Sequence, residues 1–331
     1  MNPEQIFNLF SRYHVLVIGD VMIDSYLWGD VSRISPEAPI PIIATSGREN
    51  RLGGAANVAL NIQSLGATPI LCSVVGDDMH RSVFEELMEK RNLNTDGIIY
   101  TSQRTTTVKT RIISQNQHLL RVDEEIDTPV RDSITKALTK RIEMLLAEFN
   151  IDAIVFEDYD KGVITPALIK SIVSMANDRG IPTLVDPKKR NFMDYQGVTF
   201  FKPNFKEFKE GMKVDLSNGD KEGIVAAAEK FRKEKNIRML MITLAEKGVF
   251  VAEGDRHSFF PAERRDISDV SGAGDTVISV SALCLASELP ADMVARIANM
   301  AGGLVCEVPG VVPVDKNLLL NECKDKKVFE L

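Results

Sequence analysis

Histidine and cysteine are scarce in this sequence, four of each, and their placement excludes more than their number does. His14, His80, His118 and His257 stand far apart, so a histidine-based metal site has no support. Cys72, Cys284, Cys306 and Cys323 form no CxxC pair, and three of them lie in apolar surroundings. They read as reduced core thiols of a cytoplasmic protein rather than as a disulfide framework. No apolar run reaches membrane-spanning length, and the stretch up to Arg12 is too polar for a signal peptide. Positive charge is also in deficit: 40 Lys and Arg against 47 Asp and Glu give a formal net charge of −7. That argues against nucleic acid as the main partner, while leaving room for local basic clusters. Two nucleotide signatures are missing. No GxGxxG follows the first predicted strand, which speaks against a Rossmann oxidoreductase. No Lys-Ser/Thr pair completes a Walker A loop.

What is present centres on one stretch near the C-terminal end, Asp269-Val270-Ser271-Gly272-Ala273-Gly274-Asp275-Thr276. The run from Val277 to Ala286 is apolar enough for a buried helix. The amides of Gly272, Ala273 and Gly274 then sit at a helix N-terminus, where they and the helix dipole attract phosphate oxygens. Small residues let a polyphosphate approach the backbone. A carboxylate here would repel phosphate, which makes sense if Asp275 takes a proton from a hydroxyl attacking that phosphate. The plainer alternative is a glycine-rich turn with a capping aspartate.

Along the chain, Val15 to Ile18 reads as a buried first strand ending in Gly19-Asp20. Asp24 follows it and suits substrate hydroxyls at a strand's carboxyl end, or a turn. Arg33 to Thr45 is punctuated by proline and suits an edge strand or lid. Gly53-Gly54-Ala55-Ala56-Asn57 opens an amphipathic helix through Leu65. Its glycines permit close approach to a ligand or to a neighbouring helix. Pro69 to Val75 is a strand, and Asp78 to Asn92 a helix. Thr105 to Ile113 alternates, turns at Gln115-Asn116 and returns over His118 to Asp123. This hairpin, with Ile40 to Ala44, predicts a small separate sheet. Its Lys109, Arg111 and Arg121 are edge charges or anion ligands.

From Arg131 onward, helices ending near Phe149, Asn177, Met212 and Lys235 alternate with strands at Ala153–Phe156, Thr183–Val185, Thr199–Lys202 and Met239–Thr243. Gly248–Ala252 and His257–Phe260 form a closing hairpin. The pattern predicts an α/β fold, doubly wound, with a largely parallel sheet and helices on both faces. A single domain over 1–331 is expected, with a β-lid from about 31–46 and 103–124. Successive strands end in polar clusters: Glu157-Asp158-Tyr159-Asp160-Lys161, Asp186-Pro187-Lys188, Asn204 with Glu207, and Thr243. That is more than turn chemistry needs.

Gly53 to Asn57 and Asp269 to Asp275, near opposite ends of the chain, together resemble the two hallmark segments of the ribokinase (phosphofructokinase-B) family of sugar kinases. The resemblance extends over almost the whole length. Gly19 to Asp24, Ser32 to Pro39, Asp158 to Gly162 and Asp186 to Lys188 further resemble bacterial kinases acting on D-glycero-D-manno-heptose 7-phosphate. The proline-rich stretch is the most telling, since generic sugar kinases lack it.

The resemblance implies Asp275 as base and Gly272, Ala273 and Gly274 as anion hole. It implies Asp24, Gly53, Gly54 and Asn57 around the sugar. Lys109, Arg111, Arg121, Lys161 and Lys188 are candidates for the phosphate at its far end, and Asp158 is a further substrate-binding candidate. Asn204 and Glu207 would organise Mg²⁺ through water, and Thr243 and Asn299 would lie near ATP. Lids of this family often dimerise, so a homodimer through the β-lid is expected. Val308 to Pro313 lacks the serine often seen in the family's monovalent-cation loop, which leaves potassium dependence open. No nucleotidyltransferase segment is evident, so the kinase step alone is expected. The alternatives are a kinase for another hexose or ketose, or its phosphate, and a catalytically silent sugar-binding regulator.

Overall fold

The structure, a computed structural model, describes residues 2–115 and 117–329. Its strands are β1 (His14–Gly19), β2 (Val21–Ile34), β3 (Pro41–Gly54), β4 (Thr68–Gly76), β5 (Ile98–Thr101), β6 (Val108–Ser114) and β7 (Gln117–Glu124). They continue as β8 (Ala153–Glu157), β9 (Thr183–Asp186), β10 (Phe200–Phe201), β11 (Met239–Thr243), β12 (Val249–Glu253) and β13 (Arg256–Phe260). The helices are α1 (Pro3–Leu9), α2 (Ala55–Ser64), α3 (Arg81–Lys90), α4 (Asp132–Glu148) and α5 (Pro166–Asp178). After them come α6 (Phe205–Met212), α7 (Lys221–Glu234), α8 (Ala273–Ala286), α9 (Ala291–Cys306) and α10 (Lys316–Asp325).

Among the described residues a nine-stranded sheet runs β13-β12-β11-β10-β9-β8-β1-β4-β5, parallel except at β12 and β13. Parallel strands need cover on both faces, and alternation along β1 supplies it. Val15 and Val17 pack with α2, α8 and α9, whereas Leu16 and Ile18 pack with α4, α5 and α7. Each such buried aliphatic side chain contributes about 1.5–3 kcal/mol. The strand order reverses direction beside β1, between β4 and β8, and the crevice at their carboxyl ends is where open α/β sheets bind ligands. All four cysteines are buried and unpaired, as expected. Among the described residues no helix is long and apolar enough to cross a membrane.

The second sheet, in the order β3-β2-β6-β7, has the expected hairpin of β6 and β7. Its turn includes Gln115, and Asn116 lies outside the described residues. Two expectations are corrected. The stretch after β1 is not a loop: Asp24 stands in β2, a 14-residue strand at the sheet's centre. Aspartates and a glycine lower strand propensity, but pairing with β3 along its length and with β6 over residues 23–28 overrides it. Helix α2 is not amphipathic, because every residue from Ala55 to Ile62 is buried. It lies against β4 and α8, which cover its polar residues as well. Pro41 begins β3, an edge strand, where a missing N–H costs least.

Candidate active site

The long strands of the small sheet meet the main body at Gly53-Gly54, where β3 passes into α2. A Cβ at Gly53 would meet Asp24 Oδ2 at 2.2 Å. Gly54 has φ +61°, and a Cβ there would meet the Asp20 carbonyl at 2.3 Å. These glycines therefore approach β2, not a neighbouring helix. The turn delivers Asn57 to the first turn of α2. Opposite it, Gly272 (φ +79°) opens α8 in the left-handed region. The two helices are tied by Thr276 Oγ1 donating to Asn61 Oδ1 (3.0 Å) and Ser279 Oγ to the Val58 carbonyl (3.2 Å).

Asp275 lies between them, buried. Asn57 Nδ2 donates to its Oδ2 at 2.6 Å, and the Tyr159 hydroxyl donates to its Oδ1 at 2.8 Å. Burial pushes its pKa up to about 6, against the pull of those two bonds. The Ala273 amide turns back to the Val270 carbonyl at 3.3 Å, so one amide of the expected anion hole is already engaged.

Asp275 shares a cleft of about 250 Å³ with Tyr159, Asp186, Lys188, Lys202 and Glu207. The strand ends bring them there: Glu157 and Asp186 close β8 and β9, Lys202 follows β10, and Thr243 closes β11. One oxygen each of Glu157, Asp186 and Asp275 lies within 4.8 Å of the others. Both Glu157 carboxylate oxygens and Asp186 Oδ1 are buried with no hydrogen-bond partner. Burial, then the charges of Asp186 and Asp275, pushes the Glu157 pKa well above the carboxylate range. The buried Lys202 ammonium pairs with Asp186 Oδ2 at 2.7 Å. Three convergent oxygen donors with free lone pairs form a set that fits a hard divalent cation such as Mg²⁺.

Asn204 caps α6. Its side chain accepts from the Glu207 amide (2.9 Å) and Glu207 Oε2 accepts from the Asn204 amide (2.8 Å), while Lys188 pairs with Glu207 Oε1. Burial pulls the Lys188 pKa down, but Asp186 and Glu207 more than offset it and hold the side chain cationic. Lys188 thus stands on the Glu207 wall of the cleft, apart from the cations of the small sheet. Asn299, on α9, donates to the Pro261 carbonyl (2.9 Å) and does not line this cleft.

The small sheet presents a second polar surface. Register places Arg51, Asp24, Lys109 and Asp123 in one row, with Glu49, Tyr26, Arg111 and Arg121 in the next row of the same face. Arg111 pairs with buried Asp24. Lys109 and Lys161 both reach Glu125, at 2.9 and 2.7 Å, and the more exposed Arg121 pairs with Asp123. Asp158 turns inward, accepting from Asn191 Nδ2 (2.9 Å) and the Tyr195 hydroxyl (3.1 Å), so its visible partners are structural. Reading by sequence missed Glu157, Tyr159, Asp186 and Lys202 as members of the Asp275 cluster. The available signal was that each stands at or just beyond a strand's carboxyl end.

Residues 12–317 match the model of the pfkB family carbohydrate kinases. The chain belongs to this family. It is therefore a phosphotransferase acting on a sugar hydroxyl, with ATP as the co-substrate the family implies. It is 38% identical over 317 residues to the bifunctional protein HldE of Koribacter versatilis, covering 96% of this chain and 64% of that protein. A second HldE, of Magnetococcus marinus, is 37% identical over 94% of this chain and 64% of its own length. The chain thus spans less than two thirds of the length of these curated relatives. Among solved structures, phosphofructokinase-2 of Escherichia coli in complex with potassium superposes with a TM-score of 0.77 at 15% identity, covering 95% of this chain and 98% of that one. Arabidopsis thaliana ribokinase with ribose and ATP gives 0.70 at 15% identity, covering 93% and 98%. At such identities these two matches establish the fold.

Proposed function

We propose that this carbohydrate kinase transfers the γ-phosphoryl group of ATP to O1 of D-glycero-D-manno-heptose 7-phosphate, giving the 1,7-bisphosphate for ADP-heptose synthesis. The observation that carries a phosphorylated acceptor is the face of the small sheet bearing Asp24. There Arg51, Lys109 and Arg111 gather around Asp24, each paired with a carboxylate (Glu49, Asp123 with Glu125, and Asp24 itself) from which an acceptor's phosphate would draw them. In a protein of net charge −7, such a local cluster suits a phosphate that the acceptor already carries. The heptose itself is favoured by the motifs shared with heptose-phosphate kinases and by the similarity to the HldE proteins.

In this reading Asp24, Gly53, Gly54 and Asn57 bind the acceptor sugar, and the small sheet acts as a lid on one kinase domain. Lys109, Arg111, Arg121 and Lys161 hold its phosphate through the carboxylate-linked network. Asp275 takes the proton from the attacking hydroxyl. Its proximity to the amides of Gly272 and Gly274 supports a role beside the transferred phosphoryl group, where N–H donors and a helix N-terminus stabilise developing charge. Lys188 and Lys202 neutralise the nucleotide phosphates from the opposite wall. Asn204 and Thr243 flank the nucleotide inside the cleft, and Asn299 would lie near it only where the nucleotide extends beyond the cleft. Mg²⁺, when bound, supplies charge neutralisation between the phosphates. Glu157 and Asp186 are the donors that fit it directly, with Asn204 and Glu207 acting through water. The exposed Leu120 and Val122, beside Leu27 and Ile112 on the sheet's other face, suit a second copy of the chain.

The test compares turnover of heptose 7-phosphate, unphosphorylated heptose and fructose at saturating ATP. Preference for the phosphorylated heptose is expected. Equal use of a free sugar would remove the phosphate site and leave a kinase for another hexose or ketose. No turnover of any sugar, with binding retained, would favour a silent regulator.

A further inference from the structure

Tyr159 has no part in the mechanism so far, yet its hydroxyl and the Asn57 amide grip opposite oxygens of Asp275, at 2.8 and 2.6 Å. We propose that Tyr159 is a positioning residue for the transfer step, holding the Asp275 carboxylate in the one orientation that presents a free lone pair to the acceptor hydroxyl. The proposal rests on the reading of Asp275 as the base.

A carboxylate has about four lone-pair sites. One donor on each oxygen leaves room for the acceptor while removing rotation about the Cβ–Cγ bond. Reaction rates depend steeply on that kind of alignment, because only near-attack geometries react. A carboxylate held by Asn57 alone would keep one oxygen anchored and lose the fixed plane.

The loop carrying Tyr159 is built to hold it. Asp20, just beyond the interior strand β1, accepts the backbone N–H groups of Tyr159 (2.9 Å), Lys161 (3.0 Å) and Val163 (2.9 Å). Burying a carboxylate is costly unless it is well bonded. Here all three of these bonds go to one short loop. The buried Arg104 guanidinium donates to the Lys161 carbonyl and to that of Ile126 at 3.1 Å. The backbone is thus clamped through both its N–H and its C=O groups, and the phenol is aimed at Asp275. Burial and the Asp275 charge keep the phenol protonated, so it can only serve that carboxylate as a donor.

A tyrosine retained merely for packing would act through stability, and a double-mutant cycle separates the two cases. Tyr159→Phe, Asp275→Asn and the double variant are assayed with ATP. The acceptor is whichever of heptose 7-phosphate, fructose 6-phosphate, fructose and ribose the wild type turns over fastest. Each assay runs well below the melting midpoint of the variant, so that loss of fold does not enter. Tyr159→Phe is expected to lower kcat by about 10- to 100-fold while KM for ATP and acceptor stay within about threefold. In the Asp275→Asn background the same change should lower the residual turnover by less than about twofold. A kcat within twofold of wild type overturns the proposal, and so does an equal loss in both backgrounds, which would put Tyr159 to work elsewhere. If Asp275→Asn itself stays within threefold of wild type, the base reading fails and takes the proposal with it. That outcome is distinguishable because it needs no change at Tyr159.

Discussion

Asn57 and Asp275 stand 218 residues apart in the chain and share a buried hydrogen bond of 2.6 Å. One belongs to the first turn of α2 and the other to the first turn of α8. Their contact joins the segment that follows the small sheet to the glycine-rich turn that opens α8. In the proposed reading, the acceptor hydroxyl that meets Asp275 therefore lies beside Asn57, the residue proposed to hold the sugar.

Asp275→Asn is expected to leave the fold and ATP binding intact and to lower turnover by about two to four orders of magnitude, the scale of a positioned base. The amide keeps the shape of the carboxylate but cannot accept a proton. Steady-state kinetics with calorimetric ATP binding checks this, and turnover within threefold of wild type would remove the assignment.

The pH profile should carry the same carboxylate. With its pKa pushed up to about 6 by burial, Asp275 is deprotonated at neutral pH and becomes protonated as pH falls through that value. The acid limb of kcat/KM, which reports the free enzyme, should bend near pH 6 rather than near 4. Stability moves oppositely. A raised carboxylate pKa favours the folded state at low pH, and this contribution fades as pH rises through the folded value. An acid limb bending near 4 would show that another group limits the rate.

Glu157 is buried with both carboxylate oxygens unpartnered and its pKa pushed up by burial and by Asp186 and Asp275. Glu157→Gln should raise the Mg²⁺ concentration for half-maximal activity by about tenfold or more, as removing a first-rank oxygen ligand does. The melting midpoint should not fall, because the substitution replaces a buried carboxyl whose charged form is disfavoured by burial and by Asp186 and Asp275. A magnesium titration beside a thermal melt decides it. An unchanged magnesium requirement would assign the ion to Asn204 and Glu207.

Lys161→Ala is expected to raise KM for the phosphorylated acceptor by about tenfold or more, as for loss of a charge-assisted hydrogen bond. KM for ATP should move less. Lys188→Ala should differ, since Lys188 stands on the Glu207 wall, and there KM for ATP should rise more than that for the acceptor. Initial-rate kinetics with each substrate varied in turn checks both. The reverse pattern would exchange the two lysines' roles.

The exposed pair Leu120 and Val122 should be covered by a second copy of the chain. Leu120→Asp is expected to shift light-scattering mass from dimer to monomer. A monomeric, fully active wild type at assay concentration would remove the homodimer.

Much of this was legible in the chain before any coordinates. Alternating helices and short apolar strands mark a parallel sheet because burial on both faces leaves that pattern and few others. The alternation of Lys109 and Arg111 with Val108 and Thr110 marked two faces of one strand, and the register bears it out. The glycine-rich turn before Asp275 was visible because a helix start with small residues is a local property. Other features required the fold. The 14 residues of β2 hold together through pairing with β3 along the strand and with β6 over residues 23–28, which their own propensities do not announce. Glu157 and Asp186 meet because the parallel strands β8 and β9 deliver their carboxyl ends to one edge, and Asp275 joins them from the first turn of α8. That Lys188 meets Glu207, and that the Tyr159 hydroxyl meets Asp275, depends on contacts between residues far apart in sequence. Local chemistry determines which groups can act; only the tertiary structure decides which of them meet, because burial and direction are properties of neighbours and not of the residue itself.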